Sequence, residues 1–214
     1  MAVRVAVIYY SATGVTYQLA RAIAEGASGA GAEVTMRKVR ELAPEEAIRS
    51  NQGWSDHRTE TQAVLEATLD DLVNADAIAF GAPTRYGSAA AQLKQFIDTT
   101  GPLWGQGRLV NKFVTAFTSA ATAHGGHETT LASLYNTFHH WGAIVVAPGY
   151  ADPIQFQAGN PYGASFTSAN GTLPADETSL ASARFQGRRL AEVAQQFLDG
   201  GAAAGARTFE QVAR

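Results

Sequence analysis

The 214-residue chain contains no cysteine. That excludes disulfides, zinc thiolates, iron–sulfur clusters and thiol nucleophiles together. Charge of either sign is also scarce: 16 basic against 19 acidic residues leave a net charge of −3. No run of Lys or Arg exceeds two residues, as at Arg188–Arg189. A nucleic-acid or anionic-membrane footprint is therefore not expected. No apolar run approaches the roughly 20 residues needed to cross a bilayer. Met1 leads straight into a strand pattern, without the charged, apolar and small-residue regions of a signal peptide. These absences predict a soluble, cytoplasmic protein with no membrane and no nucleic-acid partner. HExxH is missing too, and His124, His127 and Glu128 lack a further ligand at helical spacing, so no metal site is expected. GxSxG is absent and Ser11 has no His–Asp partner at motif spacing, so hydrolase chemistry has no support.

What is present is an alternation of short apolar runs and helical stripes. Arg4–Tyr10, Glu33–Val39, Ala77–Gly81, Phe113–Thr118 and Ile144–Ala147 read as strands. Helices are expected over Thr16–Ala27, Ala63–Val73, Ala90–Thr99, Thr129–His140 and Asp176–Leu198. Five βα units predict an α/β fold, a flavodoxin-like three-layer sandwich with a five-stranded parallel sheet in the order 2-1-3-4-5. The chain reads as one domain over residues 1–200. Two stretches, Leu42–Glu60 and Ala151–Pro174, are too long and polar for ordinary connections, and such loops are usually functional or interfacial. Residues 201–214, opening Gly/Ala-rich, read as a flexible tail.

In such a sheet ligands bind beyond the carboxyl ends of the strands. The loop after the first strand, Ser11-Ala12-Thr13-Gly14-Val15-Thr16, offers three hydroxyls, a glycine and a helix start. Free N–H groups and the helix dipole there make a phosphate cradle without Lys or Arg. GxGxxG and the Walker pattern are both absent, so a single terminal phosphate fits better than a dinucleotide; a Ser/Thr helix cap is the plainer alternative. The loop after the third strand, Pro83-Thr84-Arg85-Tyr86-Gly87, opens on a proline expected to end the strand. Its backbone can meet the edge of a planar heterocycle, with Tyr86 at or beside the face; an ordinary capped turn is the alternative. Trp104, in a Gly-flanked loop with little core to join, suits exposed stacking. His139 and His140 point about 100° apart on a helix, so only one can face a site.

The segments VAVIYYSATGVTYQLARAIAEGA, AFGAPTRYGSAAAQLKQFIDTTGPLW, TSAATAHGGHETTL, HHWGAIVVAPGY and NPYGASF together resemble the WrbA family, flavodoxin-like type IV NAD(P)H:quinone oxidoreductases. The resemblance implies an FMN enzyme that uses NAD(P)H. Ser11, Ala12, Thr13, Gly14, Val15 and Thr16 would hold the ribityl phosphate. Pro83, Thr84, Arg85 and Tyr86 would border the isoalloxazine. Ser119, Ala120, Ala121, Thr122, Ala123 and His124 would run along its other edge, and His140 would contact the ring system. Trp104 would cover the substrate, which makes Trp104, His140 and Tyr86 the implied catalytic residues. The implied reaction is a ping-pong, two-electron reduction of a quinone through flavin N5, in a homotetramer with sites near subunit contacts. The alternatives are a flavodoxin-type electron carrier, which usually needs a strongly acidic face, and an FMN-binding interaction protein.

Overall fold

Strand β1 (Arg4–Tyr9) leads into helix α1 (Val15–Gly29), and β2 (Glu33–Lys38) follows. The computed structural model describes residues 1–203. Next come three short helices, α2 (Glu45–Arg49), α3 (Gln52–Glu60) and α4 (Leu69–Asn74). Strands β3 (Ala77–Arg85) and β4 (Ser88–Ala89) form a hairpin before α5 (Ala91–Asp98) and α6 (Gly101–Gly105). The order closes with β5 (Phe113–Ala120), α7 (His127–His140), β6 (Ile144–Val145), α8 (Pro153–Ala158), β7 (Ser165–Thr167) and α9 (Glu177–Ala203).

The main sheet is parallel, in the order β2-β1-β3-β5-β6. Counting only these five strands, this is the expected 2-1-3-4-5. The period-2 geometry of β1 divides its side chains between two cores. Ala6 and Ile8 join Ile78, Phe80 and Val114 beneath Leu72 of α4, Leu93 of α5 and Leu134 of α7. Val5, Val7 and Tyr9 join Ala79 and Phe117 beneath Leu19 and Ile23 of α1 and Leu190 of α9. Burying each such large side chain is worth about 1.5–3 kcal/mol, which is why both faces of these strands are apolar.

Several expectations need correction. No helix spans Ala63–Val73. Residues around Glu66 instead run beside β2, where Lys38 N–H donates to Leu65 O at 3.1 Å and Ala67 N–H to Lys38 O at 2.8 Å. The helix begins only at Leu69, because Thr68 and Asp71 form a capping box. Leu42–Glu60 is mostly α2 and α3, and Ala151–Pro174 contains α8 and β7. The fifth strand is only two residues long: β6 pairs the start of β5 and β7 pairs its end. Pro83 does not end its strand. β3 continues to Arg85, with Pro83 in register with Ser119 and its carbonyl accepting Ala90 N–H at 3.1 Å. α9 runs past the predicted end to Ala203; the rest of the expected tail lies outside the described residues.

Helices α1 and α9 approach through two glycines. A Cβ on Gly26 would sit 1.9 Å from Arg184 O, and one on Gly187 would sit 2.0 Å from Ile23 O. Backbone on backbone cannot yield cheaply, so Gly187→Ala should destabilise the chain by about 1–3 kcal/mol or more. Urea unfolding monitored by circular dichroism checks this: an unchanged midpoint would contradict the close packing.

Candidate active site

At the carboxyl ends of the strands lies a cavity of about 710 Å³, within the range that holds a cofactor-sized ligand. The β1 loop contributes Ser11, Ala12, Thr13, Val15 and Thr16; the β3 end contributes Pro83, Thr84, Arg85 and Tyr86; the β5 end contributes Ser119, Ala120, Ala121 and Thr122. Thirteen of the residues expected from the sequence therefore meet in one place.

The β1 loop is built to present donors. Gly14 caps α1 at φ 96°, a conformation that favours glycine. Its N–H donates to Ser11 Oγ at 3.2 Å. No side chain caps the helix, and its first turn holds no acidic residue. The first N–H groups of α1 thus carry the positive end of the helix dipole with nothing protein-derived to neutralise it. Gly14 itself does not line the cavity; its Cα faces the ring of His57.

Of two buried hydroxyl pairs, one ties the β5 end to this loop and the other ties the β3 end to α7. Thr16 Oγ1 and Ser119 Oγ lie 2.9 Å apart, and Thr84 Oγ1 and Thr130 Oγ1 lie 2.6 Å apart. Arg85 turns back, its guanidinium donating to Thr84 O at 2.9 Å. Tyr86 (φ 51°) and Gly87 (φ 77°) form the two-residue turn joining β3 to β4. Positive φ at both central positions suits the twist of a hairpin, yet is uncommon for tyrosine. Tyr86 is fully exposed there.

Besides Gly14, four expected residues are not brought to the cavity. Ala123 and His124 lie in the exposed turn beyond Thr122 and do not line it. Trp104 is not in a loop but on the short helix α6, 58% exposed, with its indole N–H donating to the His140 carbonyl at 2.9 Å. α7 starts beside the cavity and runs back to the amino end of β6, so His140 and Trp104 share the opposite end of the sheet. Sequence reasoning also missed Asn51, Trp54, Gly125, Ser168, Asn170 and Gly171, which complete the wall. All but Gly125 lie in the two long insertions, whose length was their one signal. Ala169, Asn170 and Gly171 take consecutive positive φ values, and Gly171 packs so tightly on Thr13 that a Cβ would sit 2.3 Å from its Oγ1.

Behind the β1 loop the His57 imidazole and the Glu41 carboxylate are both perturbed. Burial holds the His57 imidazole below its ordinary 6.5, although the Glu60 carboxylate 3.3 Å away pulls upward. Burial would raise Glu41, but hydrogen bonds from Ala43 N–H, Gln92, Tyr10 and Trp54 outweigh it and hold the carboxylate below 4.5. Both shifts are depressions, so each contributes stability above the ordinary value that is lost as pH falls toward the folded-state value. Acid destabilisation should thus show a His57 component below pH 6.5 and a Glu41 component below pH 4.5. Thermal unfolding across pH tests this: H57Q should flatten the first limb and E41Q the second, and unchanged slopes would contradict it.

Comparison with known proteins agrees with this geometry. Residues 3–156 match the family described as NADPH-dependent FMN reductase. A Deinococcus radiodurans protein named NAD(P)H dehydrogenase (quinone) is 47% identical over 197 residues, covering 92% of this chain and 98% of that protein. A Sinorhizobium fredii protein of the same name is 45% identical over 202 residues, covering 92% and 99%. Among solved structures, a flavodoxin, WrbA-like protein from Agrobacterium tumefaciens superposes with a TM-score of 0.65 at 26% identity, covering 91% of this chain and 99% of that one. An archaeal flavodoxin shares the fold, at a TM-score of 0.59 and 18% identity.

Proposed function

From the premise that the chain belongs to the NADPH-dependent FMN reductase family, among its WrbA-type NAD(P)H dehydrogenases (quinone), we propose that it is an FMN-dependent NAD(P)H:quinone oxidoreductase. One observation carries the reading: a cofactor-sized cavity at the strand ends whose phosphate side is a cation-free, uncapped helix start.

The residues present fit FMN. Ser11, Thr13 and Thr16 hydroxyls and the free N–H groups of α1 match a phosphate monoester, and Gly171 pressed on Thr13 closes the cradle. Bound FMN supplies hydride acceptance at N5 and onward two-electron transfer. The chain's own work is binding and orientation. Thr84, fixed by Thr130, and Ser119, fixed by Thr16, hold the β3 and β5 loops at set positions along the ring-binding side. Ala120 and Ala121 leave that side uncluttered. A nicotinamide and a quinone using one open face in turn would give ping-pong kinetics.

Roles for Trp104 and His140 in this reading require a second copy of the chain. Their shared patch is at the amino ends of the strands, and the indole N–H bond to His140 O fixes the two together. We therefore assign the active form to a homotetramer in which a neighbouring subunit brings Trp104 over the substrate. The domain that does this is residues 1–200, and the working compartment is the cytoplasm.

An anaerobic NADH titration of the FMN-loaded protein, followed by flavin absorbance, tests the function. The expected course is bleaching in one two-electron step, then recovery on adding benzoquinone. Flavin that binds but stays oxidised would point instead to an electron carrier or an FMN-binding interaction module. Trp104→Ala should lower turnover with NADH and quinone about tenfold or more, while FMN still binds and the melting temperature holds. Light scattering coupled to size exclusion should give four chains per particle at assay concentration, and a catalytically active monomer would overturn the shared site.

A further inference from the structure

The insertion after β2 carries one aromatic side chain to the cavity that the family motifs do not contain. Trp54 sits in the first turn of α3, its backbone N–H held at 3.1 Å by the Asn51 side chain. The indole borders the large cavity on one side. On another it borders a separate cavity of about 260 Å³, shared with Tyr9, Tyr10 and His57. The partly buried side chain also packs against the core that holds Ile8, Tyr10 and Phe80. A hydrogen bond adds direction to that packing: Trp54 Nε1–H donates to Glu41 Oε2 at 3.1 Å.

Glu41 is itself immobilised. It accepts the Tyr10 hydroxyl at 2.9 Å, Gln92 Nε2 at 2.8 Å, and the N–H groups of Leu42 and Ala43 at 2.8 and 2.9 Å. Among the described residues no Lys, Arg or His forms an ion pair with it. Five protein donors, counting the Trp54 indole, converge on its charge, and charge-assisted bonds are the directional, strong ones. Tyr10 immediately precedes the phosphate loop, and Gln92 opens the helix that follows the β3–β4 hairpin. One carboxylate thus registers three walls of the cavity against each other. The other aromatic at the rim, Tyr86, is fully exposed; Trp54 is the one locked in place.

We propose that Trp54 is a contact residue for the bound flavin nucleotide, packing against it between the Ser11 end of the phosphate loop and Arg85–Tyr86, and that Glu41 is the positioning residue that aims it. The inference rests on FMN being the ligand of this cavity.

FMN affinity, read from quenching of flavin fluorescence, tests it in W54A, W54F, E41Q and the E41Q/W54F double variant, alongside thermal unfolding of each flavin-free chain. W54A should weaken FMN about tenfold, and W54F should restore most of the loss because a phenyl ring can still pack. E41Q should weaken FMN about threefold when Trp54 is present. In the W54F background, which has no indole N–H to aim, it should have no effect on affinity. Its lowering of the melting temperature should persist in both backgrounds, since in each the amide removes the charge and offers one acceptor oxygen where the carboxylate offers two. Unchanged affinity in W54A would overturn the contact. An equal E41Q penalty on affinity in both backgrounds would overturn the positioning role. Should E41Q fold poorly, E41D, which draws the carboxylate back by one methylene, takes its place in the same comparison. A wild-type chain that fails to bind FMN overturns the functional reading and this one together, whereas wild-type binding with an unaffected W54A overturns this one alone.

Discussion

A parallel sheet buried on both faces leaves only its strand ends open, and every functional feature of this chain follows from that constraint. β1, β3 and β5 give one set of side chains to the α4–α5–α7 layer and the alternate set to the α1–α9 layer. No position on either face remains for a ligand. Because the strands run in one direction, the loops that enter helices gather at one end. The helix dipole of α1 points its positive end at the same place. The cavity is thus a consequence of topology, with the buried Thr16–Ser119 hydroxyl pair setting how far apart its two main loops stand.

The same constraint explains why the residues linked by the family motifs divide into two groups. Ser11 to Thr16, Pro83 to Tyr86 and Ser119 to Thr122 lie at or just beyond the last residues of strands and so reach the carboxyl end. Trp104 on α6 and His140, the last residue of α7, lie where helices return to the amino end, and there the indole N–H meets the His140 carbonyl. Two groups at opposite ends of one sheet can meet only between copies of the chain. In the proposed reading, oligomerisation would be part of how the chemistry is assembled, rather than an addition to it.

Glu41 shows how an insertion is made rigid without a core of its own. α2 and α3 are short and bury few side chains, among them Ile48 and His57. A partly buried carboxylate with four kinds of donor around it substitutes for apolar packing. Such a group is costly when any partner is missing, which makes the geometry around Trp54 specific where packing would have left it loose.

The sequence by itself determined the strand order, the two-core layering and the hydroxyl-bearing loop that opens α1, because each is written in local pattern: β-branched runs buried on both faces, helical stripes, and hydroxyls beside a glycine at a helix start. The WrbA-like motifs were equally legible, being contiguous. Tertiary structure alone decided the rest. The Ala63–Val73 stripe has helical spacing, yet its first half pairs with Lys38, since an edge strand with free backbone groups offers hydrogen bonds that a weak isolated helix cannot match. Pro83 stays in its strand because the neighbouring β5 register holds it there. Trp54, Asn51 and Gly171 join the site only when insertions distant in sequence fold back on the strand ends, and no local pattern encodes that return. That Trp104 and His140 stand away from the cavity of their own chain is likewise a fact of direction, set by which way a helix runs after its strand.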